Sequence, residues 1–266
     1  MPFASIFSTV CSAEVEYAVA GEGPGLMLVH GTGGNADSLF SGFVPHFSSD
    51  RTVIRPNFSG SGRTTDEDNA LTMEMVVEQL AAVAREAVDG PVDLLGFSLG
   101  ATVATAVAAT YPELVRRLVL VGGWVHSAGA RDQFYFSTLA KLFAGDRDLF
   151  KRFAQLTAYS PAAVDGAGHE GLADYLRQDQ WPPLGMGRQI DLCARVDNRA
   201  LLADVIAPTL VIGLAEDQMV PVDGSRQLHA GIAGSQLIEL PGQGHMDWVA
   251  TPAHIMELTR AFLNGK

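Results

Sequence analysis

The 266-residue sequence contains few cysteines and few basic residues. Its two cysteines, Cys11 and Cys193, lie far apart without the spacing of a metal site, so we predict a reduced, cytoplasmic protein that holds no metal. Eighteen Lys and Arg against 30 Asp and Glu give a formal net charge of −12. Because phosphate binding needs a basic surface, this balance argues against nucleic acid as a partner.

Long apolar runs are also missing. No run approaches the roughly 18 residues that a membrane-spanning helix needs, so we predict no membrane span. The segment from Met1 to Ala13 contains no Lys or Arg, whereas a secretory signal begins with basic residues. We expect this segment to form a first strand. The chain length is sufficient for one substantial core.

The most informative segment that is present is Gly96-Phe97-Ser98-Leu99-Gly100, which lies between an apolar strand and a helix of small residues. A Gly-x-Ser-x-Gly motif in this setting is typical of a nucleophile elbow, a turn so tight that only glycine fits two positions either side of the serine. The turn would expose the serine hydroxyl at the carboxyl edge of a sheet, above the positive end of a helix. The alternative is a glycine-rich turn with an idle serine.

A serine hydroxyl is a weak nucleophile at neutral pH, so it needs a base, and the base needs an acid that orients it. His245 follows an apolar strand on a glycine-rich loop, which makes it the best candidate base among seven histidines. Two acids, Glu216 and Asp217, follow another apolar strand. Either acid completes the chain order serine, acid, histidine that α/β-hydrolases require.

A fourth element lies near the start of the chain. The strand Leu26-Met27-Leu28-Val29 precedes His30-Gly31-Thr32-Gly33-Gly34. Glycines at these positions let backbone N–H groups turn toward a small anion, and acyl transfer needs such donors for its tetrahedral oxyanion.

Together these features resemble the α/β-hydrolase superfamily, of the single-domain type with an inserted helical cap. The resemblance implies that Ser98 is the nucleophile and that His245 acts as general base and general acid. The acid of this family stands three residues before a Val-Pro pair, here Val220-Pro221, and this favours Asp217 as the orienting carboxylate over Glu216.

The resemblance also implies an oxyanion hole formed by the backbone N–H groups of Thr32 and Leu99, and it implies no cofactor. His30 would brace the loop beside that hole. One position departs from the family, because relatives commonly have aspartate where this chain has Asn57. The departure puts the local hydrogen bonding of the loop in question rather than the triad.

Strands alternate with helical patterns along most of the chain, which predicts an α/β fold. We expect a mostly parallel, doubly wound, eight-stranded sheet with a helical cap insertion. The alternation stops over 124–203, so we assign 1–123 and 204–266 to the core and 124–203 to the cap. We expect a few aromatic residues of this region to line an apolar pocket above the elbow and bind substrate. Our candidates are Trp124, Phe134, Phe136 and Trp181.

A serine at the elbow argues against the haloalkane dehalogenase and epoxide hydrolase branches, which need an aspartate there. We predict a serine hydrolase that cleaves a carboxylic ester or thioester of a medium-sized, apolar acyl compound through an acyl-enzyme. One alternative is a triad-dependent lyase or tailoring enzyme of bacterial secondary metabolism, for example one that eliminates acetate. A second is a ligand-binding receptor that retains the triad. The partner is then a small acyl molecule, and the sequence leaves the oligomeric state open.

Overall fold

The computed structural model describes residues 1–178 and 182–265. Within these residues nine strands form one sheet. The strands are β1 (Phe3–Phe7), β2 (Ser12–Ala20), β3 (Gly25–Val29), β4 (Thr52–Pro56), β5 (Thr65–Asp66), β6 (Val92–Phe97), β7 (Val115–Val121), β8 (Thr209–Leu214) and β9 (Gln236–Leu240).

Ten α-helices accompany the sheet within the same residues. They are α1 (Phe43–Phe47), α2 (Met73–Ala87), α3 (Leu99–Thr110), α4 (Ala130–Gly145), α5 (Arg147–Ala158), α6 (Pro161–Arg177), α7 (Met186–Cys193), α8 (Asp223–Gly231), α9 (Asp247–Ala250) and α10 (Ala253–Leu263). Over the described ranges, no helix combines the length and the apolar character needed to cross a membrane.

Eight strands follow the order β1-β2-β4-β3-β6-β7-β8-β9, and the short β5 pairs with β2 outside this path. The three pairs that involve β2 are antiparallel. The strands β4, β3, β6, β7, β8 and β9, which are neighbours in this order, all pair in parallel. The predicted α/β fold with a mostly parallel, eight-stranded sheet is therefore confirmed. The two-residue β5, which is too short for a recognisable pattern, is an addition.

The central strands are apolar on both faces because helices cover the sheet on both sides. Every residue of β3, β6 and β8 is buried. On one face the core contains side chains of α2, α3 and α8. On the other it contains side chains of α1 and α10 together with Trp248. Because helices pack on both faces, the carboxyl ends of the parallel strands are held at one edge of the sheet, where the site described below lies.

Helices α4 to α7 form an insertion between β7 and β8. Asp146 and Ser160 cap α5 and α6, because their side chains accept hydrogen bonds from backbone N–H groups in the first turn of each helix. The two ends of the insertion are tied to α3: Thr102 donates through Oγ1 to the Trp124 carbonyl, and Asn198 donates to the Thr102 carbonyl. The division of the chain at 124 and 203 stays a prediction.

Candidate active site

Ser98 lies in a strained turn between β6 and α3. Its backbone φ is 55° and ψ is −123°, a conformation with positive φ that non-glycine residues rarely adopt. A Cβ at Gly96 would lie 2.3 Å from the Gly100 carbonyl oxygen, and a Cβ at Gly100 would lie 2.2 Å from the Val29 carbonyl oxygen. Both glycines are therefore required by close backbone approach, as the motif predicts.

Three side chains meet at this turn. The Ser98 hydroxyl donates a hydrogen bond to His245 Nε2, with 2.9 Å between Oγ and Nε2. The Nδ1–H of His245 donates to Asp217 Oδ2 at 2.5 Å. All three residues are buried, with exposed fractions of 6% or less. This arrangement matches the geometry that serine hydrolases use to activate a hydroxyl.

The structure distinguishes the two acids of the sequence. Asp217 Oδ1 accepts the backbone N–H groups of Met219 at 2.9 Å and Val220 at 2.7 Å, which leaves Oδ2 for the histidine. Glu216 is exposed to solvent. Of the two carboxylates, the structure brings Asp217 to His245.

The imidazole of His245 is held by neighbours beyond the acid. Its ring centroid lies 4.7 Å from that of Phe97. Trp248 donates through Nε1 to the His245 carbonyl at 3.1 Å. The Asp247 carboxylate accepts the Gly244 N–H at 2.8 Å. These contacts restrict the loop that carries the imidazole, so its orientation does not depend on the acid alone.

Two backbone segments flank the serine hydroxyl. Leu99 is the first residue of α3, so its N–H belongs to the first turn, where amides have no acceptor within the helix. The loop after β3 lies directly against the serine, since a Cβ at Gly31 would be 3.0 Å from Ser98 Cβ. Thr32, next in that loop, lines the same cavity as Ser98. A helix N-terminus and a glycine-rich loop together favour a negative charge at this point.

His30 lies behind this loop. Its Nδ1–H donates to the Gly31 carbonyl at 2.8 Å, and its ring stacks on Phe58 with centroids 4.2 Å apart. Burial lowers the pKa of His30 from 6.5 to about 4, so the ring is neutral at pH 7. This position agrees with a bracing role.

A cavity of about 210 Å³ opens above Ser98 and His245, between the sheet edge and the helical insertion. Among the described residues that line it there is no Lys, Arg, Asp or Glu. Its walls are mostly apolar and include Ile190 and three methionines, Met186, Met219 and Met246. The cavity therefore favours a neutral, apolar ligand.

The structure brings only some of the candidate pocket aromatics to the cavity. Trp124 and Phe136 line it, with their rings stacked at a centroid distance of 5.8 Å. Phe134 does not, and the prediction for it needs correction: it is 77% exposed because it lies two positions before Phe136 on α4, hence on a nearly opposite helix face. Trp181 lies outside the described residues. No spacing pattern in the sequence predicts that the three methionines line the cavity.

Comparison with known proteins identifies the family to which the chain belongs. Residues 24–249 match the model of the α/β-hydrolase fold family. The chain is similar to the pyrrolizixenacetamide deacetylase of Xenorhabdus hominickii, with 38% identity over 258 residues that cover 96% of each chain. It is also similar to a pimeloyl-(acyl-carrier protein) methyl ester esterase of Neisseria meningitidis serogroup C, with 26% identity over 245 residues that cover 90% of this chain and 93% of the esterase.

A likeness among solved structures concerns the fold alone. An α/β-hydrolase enzyme from a Medee basin deep-sea metagenome library matches with a TM-score of 0.84 at 18% identity, covering 96% of this chain and 95% of that chain. The family match spans most of the sequence, and the relatives named above are hydrolases. The chain therefore belongs to the α/β-hydrolase fold family and is an enzyme of that family.

Proposed function

We propose that the protein is a serine hydrolase that cleaves acyl compounds through an acyl-enzyme on Ser98. The observation that carries this proposal is the position of His245, which is hydrogen-bonded to Ser98 Oγ at 2.9 Å and to Asp217 Oδ2 at 2.5 Å. An imidazole held in this way can take the hydroxyl proton, and the carboxylate stabilises the imidazolium that results.

The first half of the reaction forms the acyl-enzyme. Ser98 Oγ attacks the substrate carbonyl carbon as its proton moves to His245 Nε2. The carbonyl oxygen becomes an oxyanion, which accepts hydrogen bonds from the backbone N–H groups of Thr32 and Leu99. The tetrahedral intermediate collapses, the carbon–oxygen or carbon–sulfur bond breaks, and His245 protonates the leaving group.

In the second half a water molecule replaces the leaving group. His245 takes a proton from this water, the resulting hydroxide attacks the acyl carbon, and the ester bond to Ser98 breaks. The proton returns to Ser98 Oγ and a carboxylic acid leaves.

The cavity supports a proposal for the class of substrate. Its volume of about 210 Å³ is below the roughly 300–1,000 Å³ of pockets that hold drug-sized ligands. The described residues that line it carry no permanent charge. We therefore infer a carboxylic ester or thioester of a medium-sized, neutral and mostly apolar acyl compound.

A second candidate is the removal of an acetyl group. The named activity of the deacetylase from Xenorhabdus hominickii, at 38% identity over nearly the whole chain, supports it. The same triad would serve, with His245 protonating the leaving group. In this case the cavity would hold the apolar remainder of the substrate rather than a long acyl chain.

One set of measurements tests both candidates. We would compare kcat/KM for p-nitrophenyl esters from acetate to octanoate in the wild type, in Ser98→Ala and in Ser225→Ala, a buried serine on α8 that serves as the control. We expect Ser98→Ala to lower the rate at least about 1,000-fold. Each added methylene should contribute about 0.8 kcal/mol until the cavity is full. A profile highest for acetate would favour the deacetylase.

Covalent labelling identifies the nucleophile independently. A fluorophosphonate should add its mass to the peptide that contains Ser98 in the wild type and in Ser225→Ala, and to no serine in Ser98→Ala. Labelling of another residue, or an active Ser98→Ala enzyme, would contradict the proposed function.

A further inference from the structure

We propose that Gln189, on helix α7 of the insertion, is a positioning residue that holds the oxyanion loop, residues 31–34, in its working conformation. The proposal rests on the proposed function, because it takes the N–H of Thr32 as an oxyanion donor. It assigns to the helical insertion a part in transition-state stabilisation in addition to enclosing the substrate.

The side-chain amide of Gln189 is fully buried and uses both of its ends. Its Oε1 accepts the backbone N–H of Gly33 at 2.8 Å. Its Nε2 donates to the Ser59 carbonyl and to Ser61 Oγ, each at 3.0 Å. One amide therefore joins the oxyanion loop to the loop after β4.

A fourth hydrogen bond completes this network. Ser61 Oγ, which accepts from Gln189, donates to the Gly34 carbonyl at 2.7 Å. The N–H of Gly33 and the carbonyl of Gly34 are thus both held by a network that contains Gln189. These two groups lie one and two residues after Thr32, so the network restrains the peptide groups that follow the proposed oxyanion donor.

Within residues 31–34 the backbone of the oxyanion loop makes one hydrogen bond of its own, from the Gly34 N–H to the Gly31 carbonyl at 3.1 Å. Three of its four residues are glycines, whose backbones are the least restricted of all residues. Gly33 has a φ of 73°, and a Cβ there would lie 2.6 Å from Met186 Sδ on α7. The Thr32 hydroxyl lies 3.2 Å from Cys193 Sγ, one turn after Gln189 on α7. Helix α7 therefore supplies the rigid surface on which the loop rests.

The expected consequence is a loss of transition-state stabilisation when the amide is removed. A donor displaced by about 1 Å can lower a catalytic rate about 100-fold, even when the change lies outside the reacting groups. Substrate binding through the apolar cavity should be little affected. The change should therefore fall on kcat rather than on KM.

The chain offers a matched control in Gln79 on α2. This side chain is equally buried and also binds the loop after β4: Oε1 accepts the Ser59 N–H at 2.9 Å, and Nε2 donates to Ser59 Oγ at 2.7 Å. It makes no hydrogen bond to residues 31–34. Loss of Gln79 disturbs the loop after β4 alone, whereas loss of Gln189 disturbs both loops.

The experiment compares Gln189→Met and Gln79→Met with the wild type. We would measure kcat and KM for p-nitrophenyl butyrate and the inhibition constant of butaneboronic acid, which forms a tetrahedral adduct with a catalytic serine. We expect Gln189→Met to lower kcat about 10- to 100-fold with KM changed less than about 3-fold, and to weaken the boronate by a similar factor. The pH midpoint of kcat/KM should stay the same, because the triad is not touched. Gln79→Met should keep kcat within about 3-fold.

A milder variant covers the case in which Gln189→Met does not fold, as judged by circular dichroism. Gln189→Asn keeps the amide but shortens its reach by one methylene, so it cannot bind both loops, and we expect an intermediate loss of kcat. Equal losses in the Gln189 and Gln79 variants, a loss confined to KM, or unchanged boronate inhibition would overturn the proposal. A wild-type enzyme that neither cleaves the ester nor binds the boronate would instead overturn the proposed function on which it rests.

Discussion

The Asn57 side-chain amide donates a 2.9 Å hydrogen bond to the carboxylate of Glu16, and both residues are buried. The Asn57 oxygen accepts the Ala36 N–H at 2.6 Å. The same carboxylate accepts the backbone N–H and the guanidinium of Arg63 at 2.8 and 2.6 Å. Burial raises the pKa of the Glu16 carboxyl, but these hydrogen bonds outweigh the effect of burial and hold the pKa below its usual value. An aspartate at position 57 would bring a second carboxylate to Glu16, which gives the family departure a local physical reason.

We expect Asn57→Asp to destabilise the fold by about 2–4 kcal/mol at pH 7.5, because two buried carboxylates would face each other without a proton between them. The loss should shrink toward pH 5 as one of them binds a proton. Urea unfolding at both pH values measures this. The control is Asn35→Asp, where only the side-chain oxygen is used, as acceptor from Asp37 and Ser38. Equal stability of the two variants would contradict the expectation.

The two adjacent acids should differ sharply in their effect on catalysis. We expect Asp217→Asn to lower kcat at least about 100-fold, since the imidazole loses its orienting carboxylate and the imidazolium loses its stabilisation. Glu216→Gln is the matched control and should stay within about 3-fold, because Glu216 is exposed. Steady-state kinetics with a p-nitrophenyl ester decides between them. A larger loss in Glu216→Gln would mean that the acid is the neighbouring residue.

His30 should make the fold sensitive to acid. Burial lowers its pKa from 6.5 to about 4, so the unfolded chain binds a proton at His30 more readily than the folded one. This contribution to the free energy of unfolding is complete above pH 6.5 and is lost as the pH falls through about 4. A full loss amounts to about 3 kcal/mol. Urea unfolding between pH 7 and pH 4 should show a shallower decline in His30→Gln.

The control for this histidine is His254→Gln, a change at an exposed position. Its unfolding free energy should follow that of the wild type at every pH. If His30→Gln declines as steeply as the wild type, the acid sensitivity arises from other groups.

Substitutions of two phenylalanines on α4 should differ in their effects on stability and on ester preference. Phe136 lines the cavity and is 6% exposed, whereas Phe134 is 77% exposed. We expect Phe136→Ala to cost about 3 kcal/mol of stability and to move the best p-nitrophenyl ester toward bulkier acyl groups, because it enlarges the cavity. Phe134→Ala should change stability by less than about 0.5 kcal/mol and leave the ester profile alone. Thermal unfolding and kcat/KM measure both, and an altered profile in Phe134→Ala would contradict the assignment.

The fold was predictable because its signals are local. The residue pattern around Ser98 specifies a strand, a tight turn and a helix, and the structure shows why: both flanking glycines lie against backbone carbonyl oxygens. Buried parallel strands are apolar runs in the sequence, so β3, β6 and β8 are recognisable from the local order of residues. The catalytic roles of Ser98, Asp217 and His245 stay predictions until they are tested, although the structure brings these side chains into contact.

The α/β-hydrolase fold, the order of its elements and the residues that can take part in a triad therefore follow from the local sequence. The packing of α4 determines which side chains of the insertion reach the cavity, because adjacent helix positions such as Phe134 and Tyr135 face different directions. The contact between Gln189 and Gly33, which are 156 positions apart, is likewise visible only in the folded chain. Contacts over such separations leave no periodic signal in the sequence, because they arise from the packing of whole elements.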